Sequence, residues 1–192
     1  MLPASHEATQ GRPPVAQWLE HRAYTSGVPG SSPGRRIHTM VHIHEKIDFT
    51  ASVYIVFENK ILLHMHKKLN MWLPPGGHIE LDEDPNEAVV REAKEETGLD
   101  VVLVGEERKY TSSFGARDLI PPRFLNRHYF DSKKTHEHID HVYFGRAFSA
   151  DARHEVAGGE IRWFSKEELE ENAFDILEDV RHHALIALQE LG

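Results

Sequence analysis

Residues 76–99 read Gly76-Gly77-His78-Ile79-Glu80-Leu81-Asp82-Glu83-Asp84-Pro85-Asn86-Glu87-Ala88-Val89-Val90-Arg91-Glu92-Ala93-Lys94-Glu95-Glu96-Thr97-Gly98-Leu99. Asp84 is of the type that caps a helix N-terminus, Pro85 suits the first helical position, and Glu87, three residues past the cap, completes a capping box. The spacing predicts a helix over 85–97, closed by Gly98 in the left-handed position just past its end. At about 100° per residue, Glu92, Glu95 and Glu96 fall within roughly 100° of that helix's surface, so three carboxylates share one face. Upstream, Pro74-Pro75-Gly76-Gly77 forbids regular helix and demands a shaped loop.

Outward from this segment the pattern is strand-like on both sides. Asp48 to Phe57 is rich in β-branched and aromatic residues, and Glu58-Asn59-Lys60 separates it from Ile61-Leu62-Leu63, which together predict a hairpin. Further strands are expected at 100–104, 141–148 and 160–164. Ser165-Lys166-Glu167-Glu168 is a second capping box, opening a helical C-terminal region with Ile176, Leu177, Val180, Leu185, Ile186 and Leu188 as its apolar face. Strands before and after a helix, with more helix at the end, predict an α/β fold in which helices cover the faces of a mixed sheet.

The whole chain sets limits on the chemistry. Its 192 residues suit one ordinary domain with an appendage. With no cysteine, neither a disulfide framework nor a thiolate nucleophile or ligand is available. The sequence shows no apolar run of membrane-spanning length, so no membrane role is expected, and the cytoplasm is the default compartment. A formal net charge of −9 argues against a broad basic surface for tracking a nucleic-acid polymer. A phosphate-bearing small molecule would instead need a cation to approach a carboxylate-lined site.

Clustered glutamates repel: Glu92 and Glu96 form an i,i+4 like-charge pair that costs a few tenths of a kcal/mol. A divalent cation reverses that sign. Oxygen-only ligands select a hard ion, and Mg²⁺ commonly combines a few carboxylates with waters and phosphate oxygens. Such an ion screens phosphates, stabilises the leaving oxygen and acidifies water, which is what cleavage of a pyrophosphate requires. For a bare charged helix, simple solvation with Glu87 and Arg91 as an ordinary i,i+4 pair would be the better reading; the spacing of the whole segment decides otherwise.

Written out, the segment fits G-x5-E-x7-R-E-U-x-E-E-x-G-U, where U is a bulky aliphatic, from Gly77 through Glu83, Arg91, Glu92, Glu95, Glu96 and Gly98 to Leu99. It resembles the signature of the Nudix (MutT-like) hydrolase family, with Ala93 smaller than the usual aliphatic. The resemblance implies an α/β/α sandwich over residues 40–192, with the motif as loop–helix–loop. It implies metal ligation by Glu92, Glu95 and Glu96 with the main-chain carbonyl of Gly76, Arg91 orienting the carboxylates, and Glu83 supporting the loop or a further metal. Mg²⁺ is the expected ion, with Mn²⁺ as substitute, and a homodimer is common in the family. The general base varies among relatives, leaving Glu92, Glu155 and Glu160 open here. The implied activity is hydrolysis of a nucleoside diphosphate linked to another moiety. Residues 113–117 supply neither the proline nor the tyrosine that marks hydrolases of ADP-ribose or dinucleoside polyphosphates, so a nucleoside triphosphate or its oxidised form is the default substrate. The rival class is a catalytically silent nucleotide sensor, against which the intact glutamate set argues.

Residues 1–39 hold five of the ten prolines, show no apolar period and lack the features of a secretory signal. Val15 to His21 can be encoded by RNA resembling the D arm of a tRNA, and Gly30 to Pro33, fifteen codons on, by RNA resembling the T arm. We read 1–39 as a non-domain extension, disordered or a start-site artefact, with translation expected from Met40. Without its four basic and two acidic residues the remainder carries a formal charge of −11.

Two further constellations carry weaker signals. Thr135 to His141 (THEHIDH) places His136 and His138 on one strand face and His141 on the other, with Asp140 between, and imidazoles of this kind can hold a transition metal, contact substrate or simply face solvent. Arg123 and Arg127, beside Phe124 and Tyr129, could clamp a phosphate and stack a base, or belong to a surface loop. Trp72 and Trp163 are expected in the core.

Overall fold

The structure is a computed structural model and describes residues 44–106, 114–130 and 133–192. The readings of residues 1–39, and part of the 113–117 segment, lie outside the described residues. In chain order the elements are β1 (Ile47–Phe57), β2 (Lys60–His66), β3 (Met71–Leu73), β4 (Gly76–His78), α1 (Pro85–Thr97), β5 (Val101–Leu103), β6 (Phe124–Tyr129), β7 (Glu137–Ala147), β8 (Ile161–Phe164), α2 (Lys166–Glu171) and α3 (Glu178–Leu191).

β1 and β7 are the two long strands and pair in parallel through the middle of a mixed sheet, with Ile47 opposite Glu137 and Val56 opposite Arg146. Each is flanked on its outer edge by two short antiparallel strands placed end to end. β4 pairs with the first half of β1 and β2 with its last turn, while β6 and β5 divide β7 in the same way. β3 and β8 extend the sheet from β2.

Alternation along β1 sorts its side chains onto two cores. Ala51, Val53 and Ile55 face α1 and pack with Ala88, Val89, Ala93 and Tyr143. Tyr54 and Val56 face the other way, onto Val180, Ala184, Ala187, Leu188 and Leu191 of α3. Helices thus cover both faces, the α/β/α sandwich expected. Ala93 is fully buried, and its small side chain belongs to the α1 core with Ala51, Ala88 and Ala147 and the valines Val53, Val89 and Val101.

Both capping boxes form. Asp84 accepts from the Asn86 and Glu87 backbone N–H groups while Glu87 accepts from the Asp84 N–H, and Ser165 and Glu168 do the same for α2. Such a cap is worth about 1 kcal/mol. Gly98 takes the left-handed conformation at φ 71° and ends α1 as predicted. The C-terminal region departs from expectation: α2 stops after six residues at Asn172 (φ 50°), and α3 starts afresh at Glu178. Leu177 is therefore an exposed residue preceding α3 rather than part of its apolar face. The glycine loop also contains a strand, since Gly76 to His78 hydrogen-bond to β1 as β4. β3 and β6 were not foreseen either. Trp72 is buried against Phe164, their rings 5.0 Å apart, and the half-buried Trp163 packs on the α1 core.

Candidate active site

The site forms where β4 meets the side of α1. Glycine at 76 and 77 is a steric requirement: a Cβ at Gly76 would lie 2.7 Å from the Ser52 Cα, and one at Gly77 would strike the Glu92 carboxylate. The bare backbone lets the helix carboxylates reach the strand. The Gly76 N–H donates to Glu96 Oε2 at 2.9 Å. Gly76 is thus joined to the site by its N–H in this structure, where the resemblance implied a role for its carbonyl.

Arg91 lies at the centre of the carboxylate cluster. Its Nε and Nη2 donate to the two oxygens of Glu83 at 3.0 and 2.7 Å, and its Nη1 donates to Glu92 at 2.8 Å and Glu95 at 3.1 Å. Nη2 also donates to the His78 carbonyl at 3.2 Å. One guanidinium therefore ties the loop after β4 to the helix, and it is held above its ordinary pKa chiefly by the Glu83 hydrogen bonds. Glu83 in turn accepts the Glu80 N–H at 2.9 Å, which fixes the loop.

The carboxylates differ in environment. Glu95 is about half exposed, whereas Glu92 and Glu96 are largely buried. Burial raises the Glu92 pKa even against the pull of Arg91. For Glu96, burial outweighs the Gly76 hydrogen bond, and repulsion from Glu92, Glu155 and Glu95 adds to it, pushing the group up to about 8. An acid so crowded by other acids is what a divalent cation would relieve.

Sequence reasoning missed His64. It is buried on β2, with Nε2 3.5 Å from Glu96 Oε2, and desolvation first, then His154 and His66, lowers its pKa to about 4. Its imidazole thus lies beside a largely buried carboxylate of α1. The signal was available: continuing the β2 alternation past Leu63 puts His64 and His66 on the face of Leu62, which packs in the α1 core.

Of the three candidate bases, Glu92 lies within the cluster. Glu155 is brought to it by the chain, since the backbone N–H groups of Arg153 and Glu155 donate to the Thr97 and Glu96 carbonyls at 2.8 and 3.1 Å. Glu160 instead meets β2, its carbonyl accepting from Met65. Arg123 and Arg127 are both exposed and held by carboxylates, Arg123 by Glu190 at 2.7 Å and Arg127 by Glu137 at 2.5 Å. Beside the loop after β4 opens a cleft of about 360 Å³ lined by Phe49, Ile79, Pro85 and His141, with Glu80 at its wall.

The THEHIDH residues separate as alternation required, but the set differs from the one anticipated. His141 points to the cleft side, its Nδ1 3.0 Å from the Thr50 carbonyl. Asp140 accepts from the Thr50 and Ser52 hydroxyls at 3.0 and 2.7 Å. His136 and His138 gather instead around Asp48 and His78.

With fold and site in view, comparison with known proteins places the chain. The NUDIX domain family model matches residues 46–184. A hydrolase of the NUDIX family from Clostridium perfringens has a crystal structure that superposes with a TM-score of 0.65 at 38% identity, covering 76% of this chain and 98% of that one. A MutT NUDIX hydrolase from Burkholderia pseudomallei shares the fold at 24% identity, with a TM-score of 0.51 over 77% of this chain and 100% of that one. Among curated relatives, the m7GpppN-mRNA hydrolase NUDT17 of Xenopus laevis is 44% identical over 59 residues, 28% of this chain and 20% of its own. A probable DHNTP pyrophosphohydrolase of Lactococcus lactis subsp. cremoris is 28% identical over 103 residues, 53% of this chain and 55% of its own. The matched stretches thus span little more than half of these curated relatives at most. The chain belongs to the NUDIX family, and the relatives named above are hydrolases, the Lactococcus protein being described as a probable pyrophosphohydrolase. No helix among the described residues is long and apolar enough to cross a membrane.

Proposed function

We propose that this chain is a metal-dependent pyrophosphohydrolase that cuts a phosphoanhydride bond in a nucleoside diphosphate linked to another moiety, with a nucleoside triphosphate or its oxidised form as the first substrate to try. The observation that carries the reading is the burial of Glu96 against the Gly76 N–H, with Glu92 and Glu95 of the same helix face tied to one another by Arg91. The donor set is oxygen only and Glu96 is an acid crowded by like charges, which suits a hard divalent ion such as Mg²⁺, with Mn²⁺ as substitute; the three carboxylates, which do not already meet as closely as ligands of one ion, would be drawn together by it. When bound, that ion would neutralise phosphate charge and acidify the attacking water.

The chain's own residues then have distinct tasks. Glu92, Glu95 and Glu96 hold the cation, Arg91 orients two of them, and Glu83 fixes Arg91 and the loop. Glu155 is the proton acceptor we favour over Glu92, because Arg91 engages Glu92 while Glu155 lies close enough to Glu96 to raise its pKa. A proton acceptor of this kind contributes roughly 10²–10⁴-fold to rate. The phosphate clamp of Arg123 and Arg127 would require each to leave its present carboxylate partner.

The test is release of phosphate or pyrophosphate from a nucleotide panel with Mg²⁺, comparing the wild type with Glu96→Gln and Glu155→Gln. Loss of turnover in the first with native circular dichroism is expected, as is a drop of about 10²-fold or more in kcat for the second with metal affinity retained. Full activity of Glu96→Gln would refute the ligand assignment. A wild type that binds nucleotide without cutting any would instead make the chain a sensor.

A further inference from the structure

Asp48, His78 and His138 each offer a ligand atom, and these three atoms lie within 4.8 Å of one another. Among the described residues this is the set of three His, Asp or Glu side chains that meets so closely; the three glutamates of α1 do not. We infer that Asp48, His78 and His138 form a second metal site, of the mixed nitrogen and oxygen type that takes Zn²⁺ or a similar borderline ion, distinct from the carboxylate site on α1.

The topology builds it. Thr50 lies opposite His78 in the β1–β4 ladder and Asp48 opposite His138 in the β1–β7 ladder, so three adjacent strands present these side chains on one face of the sheet. That face is covered farther along by α3, but the cluster lies at the opposite end of β1. Asp48 is fully buried in an otherwise histidine-rich setting. Its Oδ1 accepts the His44 N–H at 2.7 Å, and its Oδ2 lies 3.1 Å from His136 Nε2 and 3.2 Å from His78 Nε2. His136 is placed to orient the carboxylate from outside, the support that metal-binding carboxylates ordinarily have.

The independent sign of a ligand is His138. It is 7% exposed, and its Nε2 is buried with no hydrogen-bond partner. Leaving such a nitrogen unpartnered costs on folding, and native structures rarely retain one without a ligand or a special role. The ring is clamped between His78, whose centroid is 5.1 Å away, and Phe130, stacked at 4.8 Å.

The dimensions suit a tetrahedral ion. Ligands about 2 Å from Zn²⁺ stand roughly 3.3 Å apart, the separation already seen between His78 and Asp48, and the third atom closes by at most about 1.5 Å of side-chain movement. Three protein ligands leave a fourth position for water or an oxygen of a bound molecule. The site also touches the α1 cluster through one residue, because the His78 carbonyl receives Arg91 Nη2. The inference does not rest on the hydrolase reading, since it uses none of the glutamates.

The experiment is titration of the full, tag-free chain with Zn²⁺ alone in excess Mg²⁺, followed by calorimetry, and with Co²⁺, followed by visible absorption. One equivalent is expected, with tetrahedral Co²⁺ bands. His138→Ala should abolish that equivalent, and His78→Gln, a half-buried position more tolerant of change, should weaken it about 10-fold or more; Glu96→Gln should leave it intact. Absence of a stoichiometric equivalent in the wild type, or its persistence in a natively folded His78→Gln, overturns the proposal. Loss in Glu96→Gln together with retention in His78→Gln would also overturn it, by moving the equivalent to α1.

Discussion

Arg91 and Glu83 meet in a two-pronged pair, Nη2 to one carboxylate oxygen at 2.7 Å and Nε to the other at 3.0 Å, across eight residues of sequence. The planar fork is what holds the loop after β4 against the side of α1, because the same guanidinium continues to Glu92, Glu95 and the His78 carbonyl. Position 91 therefore needs a shape as well as a charge.

Lysine at 91 keeps the charge and loses the fork. Arg91→Lys is expected to cost about 1–3 kcal/mol of stability and to lower kcat/KM at least 10-fold. Thermal melts and steady-state kinetics check it; wild-type values for both would show that the bidentate geometry is dispensable.

Glu96→Gln separates stability from catalysis. The folded carboxyl has its pKa raised, so in metal-free protein the ionised form is a burden that grows as pH rises from the unfolded value near 4.5 toward about 8. The amide carries no such burden. In chelator at pH 8 the variant should melt at or above the wild-type temperature while turnover is lost, and a variant that melts several degrees lower would contradict this balance.

Gly77→Ala places a methyl group against the Glu92 carboxylate. The side chain must swing aside, and displacements of about 1 Å at a reacting centre can cost about 10²-fold in rate. A fall in kcat of that order with little change in melting temperature is expected. Equal activity would mean that Glu92 can relocate freely.

His183 sets a pH dependence away from the site. It stacks on Phe124 at 4.6 Å, and burial lowers its pKa below the ordinary 6.5. Above about pH 6.5 both folded and unfolded forms are neutral, so it contributes nothing there. As pH falls below that value the unfolded chain takes up the proton first, and folded stability declines until the folded pKa is passed. His183→Phe should lessen the loss of melting temperature between pH 7 and 5, which differential scanning fluorimetry can follow.

The helix and its caps were legible because Asp84, Pro85, Glu87 and Gly98 act through local backbone chemistry that depends on nothing distant. The glutamate face followed from the helix period alone. What stayed hidden depends on strand neighbours far apart in sequence. The Asp48–His78–His138 cluster joins three strands through pairings that no local pattern displays, so alternation in THEHIDH could part His141 from His136 and His138 but could not name Asp48 and His78 as the partners of His138. β4 was read as loop because its three residues carry no strand-like side chains and gain their conformation from β1. The split between α2 and α3 turns on Asn172, whose left-handed backbone interrupts an otherwise continuous apolar period.

The last carbonyls of α1 are closed by N–H groups of Arg153 and Glu155, more than fifty positions downstream. The signature stretch is consequently not portable: transplanted alone into another scaffold, it would bring its acids but not the strap that finishes its helix and delivers Glu155. A chimera intended to carry this chemistry must import both pieces together.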